Sequence, residues 1–278
     1  MSAPPFDWRA VRAIVRKDLS AVLRSKPVML PLVLLPALLF VVIPLAVVLL
    51  SPLVTTPAQA NLGDLQAFLD RLPSVLRSDL LSRPPSQQIL LIATSYLLSP
   101  LMLLVPVMVA NVIAADSFAG EKERHTLEAL LHSPVSDRDL FTAKVLAAWL
   151  PALGVTLLGF VLSTIVVNVG GWPVMKSVFY PNGTTLLVAL WVAPGVAALG
   201  LGATVLVSAR VSTFQEAFQT SGLVVLPIVL LLVGQFAGIV ALSPVVAAVF
   251  GAVVWALGLL LLTRGRKTFR REELLSRG

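Results

Sequence analysis

The sequence contains no cysteine and few charged residues. Asp, Glu, Lys and Arg make up only 13% of the 278 residues. The absence of cysteine excludes disulfide bonds, thiolate metal ligands and a thiol nucleophile. An average soluble domain has about a quarter charged residues, whereas here 57% of the residues are hydrophobic. This composition excludes an ordinary water-soluble globule and favours a membrane protein.

Five stretches free of Asp, Glu, Lys and Arg are long enough to cross a bilayer, which takes about 20 apolar residues. Four of them predict one span each. The fifth, residues 217–263, predicts two spans joined by a hairpin at Ser243-Pro244. We therefore predict an all-α polytopic membrane protein with six transmembrane helices, at about 27–50, 89–115, 145–169, 184–208, 219–242 and 245–263.

Lys and Arg concentrate in three segments that the six-span arrangement places on one side of the membrane: residues 1–26, the 116–144 loop and the tail 264–278. Because Lys and Arg in short loops stay on the cytoplasmic side, we expect both termini to be cytoplasmic and the protein to lie in the plasma (inner) membrane. The excess of basic residues behind the net charge of +7 is then expected on the cytoplasmic surface. Nucleic acid is not an expected partner, since no binding module is recognisable.

Residues 6–24 have helical periodicity. The apolar side is formed by Trp8, Val11, Val15, Leu19 and Val22, and the basic side by Arg9, Arg16, Lys17 and Arg24. This pattern predicts an amphipathic interfacial helix. Two roles stay open: contact with anionic membrane lipid, or a topology signal without a further role.

The loop between the second and third spans contains a short predicted helix. Thr126 is its predicted N-cap, and Glu128 lies in the first turn, where a negative charge is favourable. The apolar edge and the end of this helix are Leu127, Leu130, Leu131 and Pro134. Because these leucines need something to pack against, we expect a protein partner. Ser136 and Asp139 form a predicted capping box at the start of the third span.

The loop also resembles a known family. The runs Gly120-Glu121-Lys122-Glu123, Thr126-Leu127-Glu128 and Ser133-Pro134-Val135-Ser136 resemble the cytoplasmic signature of permease subunits of the type-2 ABC exporter family. Residues 208–217, between the fourth and fifth spans, resemble its second, weaker signature. The six spans and the interfacial N-terminal helix are similar too, so the resemblance covers nearly the whole chain.

The resemblance implies a coupling helix that sits in a groove of a separate ATPase subunit. The residues it assigns to this coupling are Gly120, Glu121, Glu123, Thr126, Leu127, Glu128, Leu130, Leu131 and Pro134. It assigns a second cytoplasmic contact to Arg210, Gln215 and Glu216. The implied working unit has two ABC ATPase subunits and two permease copies, identical or different, with residues 1–26 as a connecting helix.

No enzyme site is expected in this chain. The sequence has no Gly-x-x-x-x-Gly-Lys-Ser/Thr loop for nucleotide phosphates and no nucleophile elbow. Its two histidines, His125 and His132, lack the neighbouring ligands of a metal site. We therefore expect no metal and no cofactor here, and ATP and Mg to be bound by the partner ATPase.

The predicted spans contain no ionisable side chain of the kind that marks ion pathways, which disfavours an ion-coupled carrier. The candidate translocation path consists of uncharged polar residues: Thr94, Ser95, Ser99, Asn111, Thr156 and Gln235. Hydrogen bonds between helices are the alternative role for these residues. Such a path suits an amphipathic or largely apolar cargo. The alternative function of the chain is a non-transporting scaffold or assembly subunit.

Overall fold

The computed structural model describes residues 6–53, 74–126, 135–236 and 243–268. Within these ranges the regular structure is helical, without strands. Helix α1 is Trp8–Arg24. Six helices that are long and apolar enough to cross a membrane follow it: α2 Val28–Leu53, α3 Pro85–Glu123, α4 Asp137–Met175, α5 Gly183–Ser208, α6 Phe214–Gln235 and α7 Pro244–Thr268. The prediction of an all-α protein with six spanning helices is confirmed.

Helix α1 begins and ends at polar residues. Asp7 caps its start, accepting hydrogen bonds from the backbone N–H groups of Arg9 at 2.9 Å and Ala10 at 3.2 Å. At Ser25 the backbone is extended, and the chain turns directly into the next helix. The side chains of α1 that pack against the bundle are Val11, Ile14, Asp18 and Val22. Three of these are apolar, and the fourth is a carboxylate.

Helix α4 is longer than a bilayer requires. It has 39 residues, which at 1.5 Å per residue gives about 58 Å, against a hydrocarbon core of about 30 Å. Its predicted cap is present, since the Ser136 hydroxyl accepts a hydrogen bond from the Asp139 N–H at 3.1 Å. The first turns of α4 therefore have room to extend beyond the hydrocarbon core.

In the described chain, helices α2, α3 and α5 together contain four π-helical turns: Leu38–Val42, Ala93–Leu97, Asp116–Gly120 and Val188–Val192. A π turn inserts one extra residue into the helix and redirects the side chains on either side of it. Pro36 precedes the first of these turns and Pro194 follows the last, where an α-helical hydrogen bond is already lost. The third turn lies at the end of α3, where the charged residues gather.

Helices α5 and α7 pack backbone to backbone. A Cβ atom on Gly258 would lie 2.8 Å from the Leu199 nitrogen, and one on Gly202 would lie 3.1 Å from the Gly258 carbonyl oxygen. The absence of side chains at these positions permits the close approach, as small residues do in membrane helices generally. Helices α3 and α6 pack against α5 of this pair.

Candidate functional site

The candidate site is centred on Lys144, in the second turn of α4. Its side chain has no exposed surface, although a buried ammonium group is costly unless it is paired. Its Nζ lies 2.6 Å from Glu121 Oε2 and donates to the Ser117 carbonyl oxygen at 2.6 Å. The Ser117 hydroxyl is 3.2 Å away and Asp18 Oδ2 is 4.0 Å away. The ammonium group is thus surrounded by oxygen atoms from α3 and α1.

Helix α1 contributes two further charges. Asp18 is 4% exposed and accepts a hydrogen bond from the Ser117 hydroxyl at 3.0 Å. Lys17 Nζ lies 2.7 Å from Glu121 Oε1 and 3.0 Å from Asp18 Oδ1. Two lysines and two carboxylates, Lys17, Asp18, Glu121 and Lys144, therefore form one charge-balanced group. We call it the four-charge cluster.

The cluster keeps Lys17 protonated. Partial burial lowers the pKa of Lys17, but the hydrogen bonds and negative charges of Glu121 and Asp18 raise it by more. The result is a Lys17 pKa above the ordinary value of 10.5. The attraction between α1 and the end of α3 is therefore present throughout the physiological pH range.

The π turn Asp116–Gly120 positions the α3 side of the cluster. Outside the cluster, Arg124 Nη1 donates to Asp116 Oδ1 at 2.9 Å, and Nη2 donates to the Asp116 carbonyl oxygen at 3.3 Å. A Cβ on Gly120 would lie 3.0 Å from Asp116 Oδ1 and 3.1 Å from Arg124 Nη1. Glycine at position 120 leaves space for this ion pair.

The end of α3 is also attached to the connection between α5 and α6. Glu123 Oε2 accepts a hydrogen bond from the Phe214 N–H at 2.8 Å, and Lys122 Nζ donates to the Val211 carbonyl oxygen at 3.1 Å. Thr213 caps α6 by accepting from the Glu216 N–H at 3.2 Å. We call the two bonds from α3 the loop clip. The two segments that carry the family signatures therefore meet in the tertiary structure.

The predicted coupling residues fall into three groups. Gly120 and Glu121 are buried, with Glu121 in the four-charge cluster. Glu123 and Thr126 are exposed, and the Thr126 N–H donates to the Glu121 carbonyl oxygen at 2.9 Å. The remaining predicted coupling residues lie outside the described part of the chain: Leu127, Glu128, Leu130, Leu131 and Pro134. The second predicted contact residues, Arg210, Gln215 and Glu216, are exposed beside the loop clip.

Sequence reasoning missed Asp18, Ser117 and Lys144. One signal was available for Asp18, because it follows Val11 and Ile14 at helical spacing and so lies on the buried side of α1. An acidic residue at such a position needs a partner. For Lys144, the available signal was the capping box at Ser136. It starts the helix two turns before the charge-free stretch, so Lys144 belongs to the same helix as the third span.

Most of the candidate path residues have hydrogen-bond partners inside the bundle. The hydroxyl groups of Thr94 and Thr156 each donate at 2.7 Å to a carbonyl oxygen one turn earlier in the same helix. The Ser99 hydroxyl donates at 2.9 Å to the carbonyl oxygen of Ser95. Asn111 is fully buried, and its side-chain amide lies 3.1 Å from the Thr204 hydroxyl oxygen of α5. Gln235 differs, because it is 4% exposed and neither amide atom has a hydrogen-bond partner among the residues that the structure describes. Thr156 lines a space of about 10 Å³, the size of one water molecule.

Comparison with known proteins gives one match. The family model described as ABC-2 family transporter protein matches residues 12–263, from within α1 to within α7. Neither the curated proteins nor the solved structures include a match to this chain.

Proposed function

Because the chain belongs to the ABC-2 transporter family, we propose that it is the transmembrane permease subunit of an ATP-driven exporter. Family membership and the six apolar helices make it a multi-pass membrane transport component that partners with an ATPase subunit. The proposed working unit contains two permease copies and two ABC ATPases in the plasma membrane, with both permease termini cytoplasmic. Closure of the ATPases on ATP would alternate the spans between inward-open and outward-open arrangements.

One observation supports this proposal above the others: Glu121 of the four-charge cluster lies five residues before the predicted coupling segment, residues 126–131. Glu121 contacts Lys17 of α1 and Lys144 of α4, so a displacement of the coupling segment acts on three helices together. The loop clip adds the connection to α6 through Glu123. Because helices are stiff and these contacts are buried or charge-assisted, the displacement is transmitted instead of being absorbed by a loop.

ATP hydrolysis is assigned to the partner in this proposal. The full sequence has no P-loop, so ATP and Mg would be bound by the ATPase subunit and the permease would supply no cofactor site. The proposed role of the permease is to provide the surface that contacts the ATPase. This surface would consist of the leucines of the predicted coupling helix and five exposed residues: Glu123, Thr126, Arg210, Gln215 and Glu216.

Two other functions compete with this proposal. A non-transporting scaffold or assembly subunit would keep the same fold and the same ATPase contact without moving cargo. An ion-coupled carrier is the weaker alternative. In the described chain the buried charged side chains lie on α1, in the last turns of α3 or in the first turns of α4, whereas an ion pathway needs them along the spans.

The test uses the permease co-expressed with its ABC ATPase and reconstituted in lipid. Leu127→Ala is expected to reduce co-purification of the ATPase, and Glu123→Ala to lower ATP hydrolysis severalfold while assembly is retained. Leu158→Ala is the matched control, because Leu158 is 69% exposed in the middle of α4. If neither coupling variant changes assembly or hydrolysis, the coupling assignment is wrong.

A second measurement separates an exporter from a scaffold. The chain has no cysteine, so a single Val178→Cys label, placed at a residue that is 75% exposed, needs no background substitutions. For an exporter, spin-label distances between two permease copies change between the ATP-free state and a state trapped with ATP. A scaffold predicts the same distance distribution in both states.

A further inference from the structure

Three of the four arginines of α1 lie along one line of the helix, and none of the four takes part in the four-charge cluster. Arg9, Arg12 and Arg16 recur at positions i, i+3 and i+7, and all three are exposed. Within the described ranges, none of them has an Asp or Glu oxygen within 4.0 Å. Lys17 differs, because Glu121 and Asp18 hold its ammonium group. We call the three residues the arginine stripe.

The arginine stripe lies on the same side of α1 as two exposed apolar side chains, Trp8 and Leu23, so the prediction that Trp8 lies on the opposite, apolar side is wrong. Trp8 is 67% exposed and Leu23 is 61% exposed. At 100° per residue, these two residues and the three arginines fall within an arc of about 100°. The buried residues of α1 lie on the opposite side of the helix. Along the helix, the arginine stripe is therefore flanked by exposed apolar side chains: Trp8 at its start and Leu23 about two turns beyond Arg16.

The contacts of α1 place this side at the level where the spans begin. The chain passes from α1 through Ser25 directly into the first span. The Asp7 N–H is 3.4 Å from an Asp139 carboxylate oxygen in the first turn of α4, and Asp18 contacts Ser117 near the end of α3. Helix α1 therefore lies beside the ends of two spanning helices, at the depth of lipid headgroups, where Trp and Arg side chains commonly lie.

We propose that Arg9, Arg12 and Arg16 form a binding site for the phosphate groups of anionic phospholipids. The surface along these arginines is an open, shallow depression, which Ala13, Lys17 and Ser20 also line. Guanidinium groups match phosphate oxygens with paired hydrogen bonds, and the adjacent Trp8 and Leu23 suit the boundary between headgroups and acyl chains. An acidic protein surface could also pair with the arginines, but it would not account for the exposed apolar side chains of Trp8 and Leu23. The proposal rests on the membrane placement of α1 and is independent of ATP-driven export.

The test measures lipid preference at Trp8. Wild-type protein and its Trp8→Phe counterpart are reconstituted in phosphatidylcholine vesicles containing brominated phosphatidylglycerol or brominated phosphatidylcholine, and the difference in fluorescence quenching reports lipid next to Trp8. A basic residue near the surface strengthens anionic lipid binding by about fivefold. We expect at least a fivefold preference for phosphatidylglycerol in the wild type. The triple variant Arg9→Gln, Arg12→Gln, Arg16→Gln should lose this preference.

Two controls make the result specific. Arg24→Gln removes a charge from the same helix beyond the arc of the arginine stripe and should keep the preference. Replacement of the three arginines by lysine should keep most of it, because the charge remains. If the triple glutamine variant cannot be recovered in folded form, Arg12→Gln alone should lower the preference by about fivefold.

Two outcomes would overturn the proposal. The first is an unchanged preference in the glutamine variants, whether or not binding of the ATPase partner is lost; loss of the ATPase would then identify the stripe as a protein contact. The second is an equal loss of preference in Arg24→Gln, because the effect would then be one of overall charge and not of a site.

Discussion

Lys144 and Glu121 form a buried ion pair that joins α4 to the end of α3, with Lys144 Nζ 2.6 Å from Glu121 Oε2. Because Lys144 has no exposed surface, water cannot replace its partner. The second carboxylate oxygen of Glu121 binds Lys17 of α1, so one side chain ties three helices together directly before the predicted coupling segment.

The first prediction concerns removal of the buried cation. Lys144→Met leaves Glu121 and Asp18 with Lys17 as their one cation, and breaking a buried pair in this way costs about 3 kcal/mol or more. Thermal unfolding in detergent should show a markedly lower midpoint. Lys267→Met, at an exposed position in α7, is the control and should unfold like the wild type. An unchanged midpoint in Lys144→Met would show that the pair does not stabilise the bundle.

The second prediction concerns charge balance. Combining Lys144→Met with Glu121→Gln removes one charge of each sign and leaves Lys17 paired with Asp18, which are 3.0 Å apart. The double variant should therefore be more stable than Lys144→Met alone, with a coupling free energy of about 1 to 3 kcal/mol in a double-mutant cycle. Additive effects of the two substitutions would mean that the residues act independently.

The third prediction concerns the loop clip. Glu123→Ala removes the acceptor that lies 2.8 Å from the Phe214 N–H. Because Glu123 is exposed, overall stability should change by about 1 kcal/mol or less. Hydrogen exchange should accelerate in a peptide covering residues 210–221. Gln215→Ala alters a neighbouring exposed side chain and should leave this exchange unchanged, whereas equal acceleration in both variants would contradict the role of Glu123.

The fourth prediction tests the packing of α5 against α7. Gly258→Ala places a Cβ atom 2.8 Å from the Leu199 nitrogen, and because backbone cannot move aside as a side chain can, the substitution should destabilise the fold by about 1 to 3 kcal/mol. Gly222→Ala is the matched control, since its Cβ would meet no atom within 4 Å. Equal unfolding midpoints for the two variants would contradict the packing.

The fifth prediction concerns pH. The pKa of Lys17 in the folded protein is raised above 10.5, so its contribution to stability is fully present below this value and is lost as the pH rises through the raised pKa. The stability difference between wild type and Lys17→Met should therefore be constant between about pH 7 and 9 and should shrink at higher pH. A difference that stays constant or grows as the pH rises above about 10 would show that the pKa is not raised.

The cytoplasmic loops illustrate where sequence reasoning succeeds and where it stops. The Ser136 cap was predicted correctly because capping is a contact between residues three apart. Glu121 was predicted as a coupling residue from the family signature alone. Its actual partners, Lys17 and Lys144, are separated from it by 104 and 23 residues, and no local pattern relates residues at such distances.

The sequence alone determined the membrane class, the all-α fold and the six spanning helices, because the length of an apolar run and the period of a helix are local properties of the chain. The tertiary structure decided which charges are buried together, which arginines of α1 have no acidic partner among the described residues, and that the two signature segments meet at Glu123 and Phe214. These relationships depend on how helices pack. A π turn that redirects side chains, or a glycine that lets two backbones touch, changes the partners of a residue without changing any pattern along the chain.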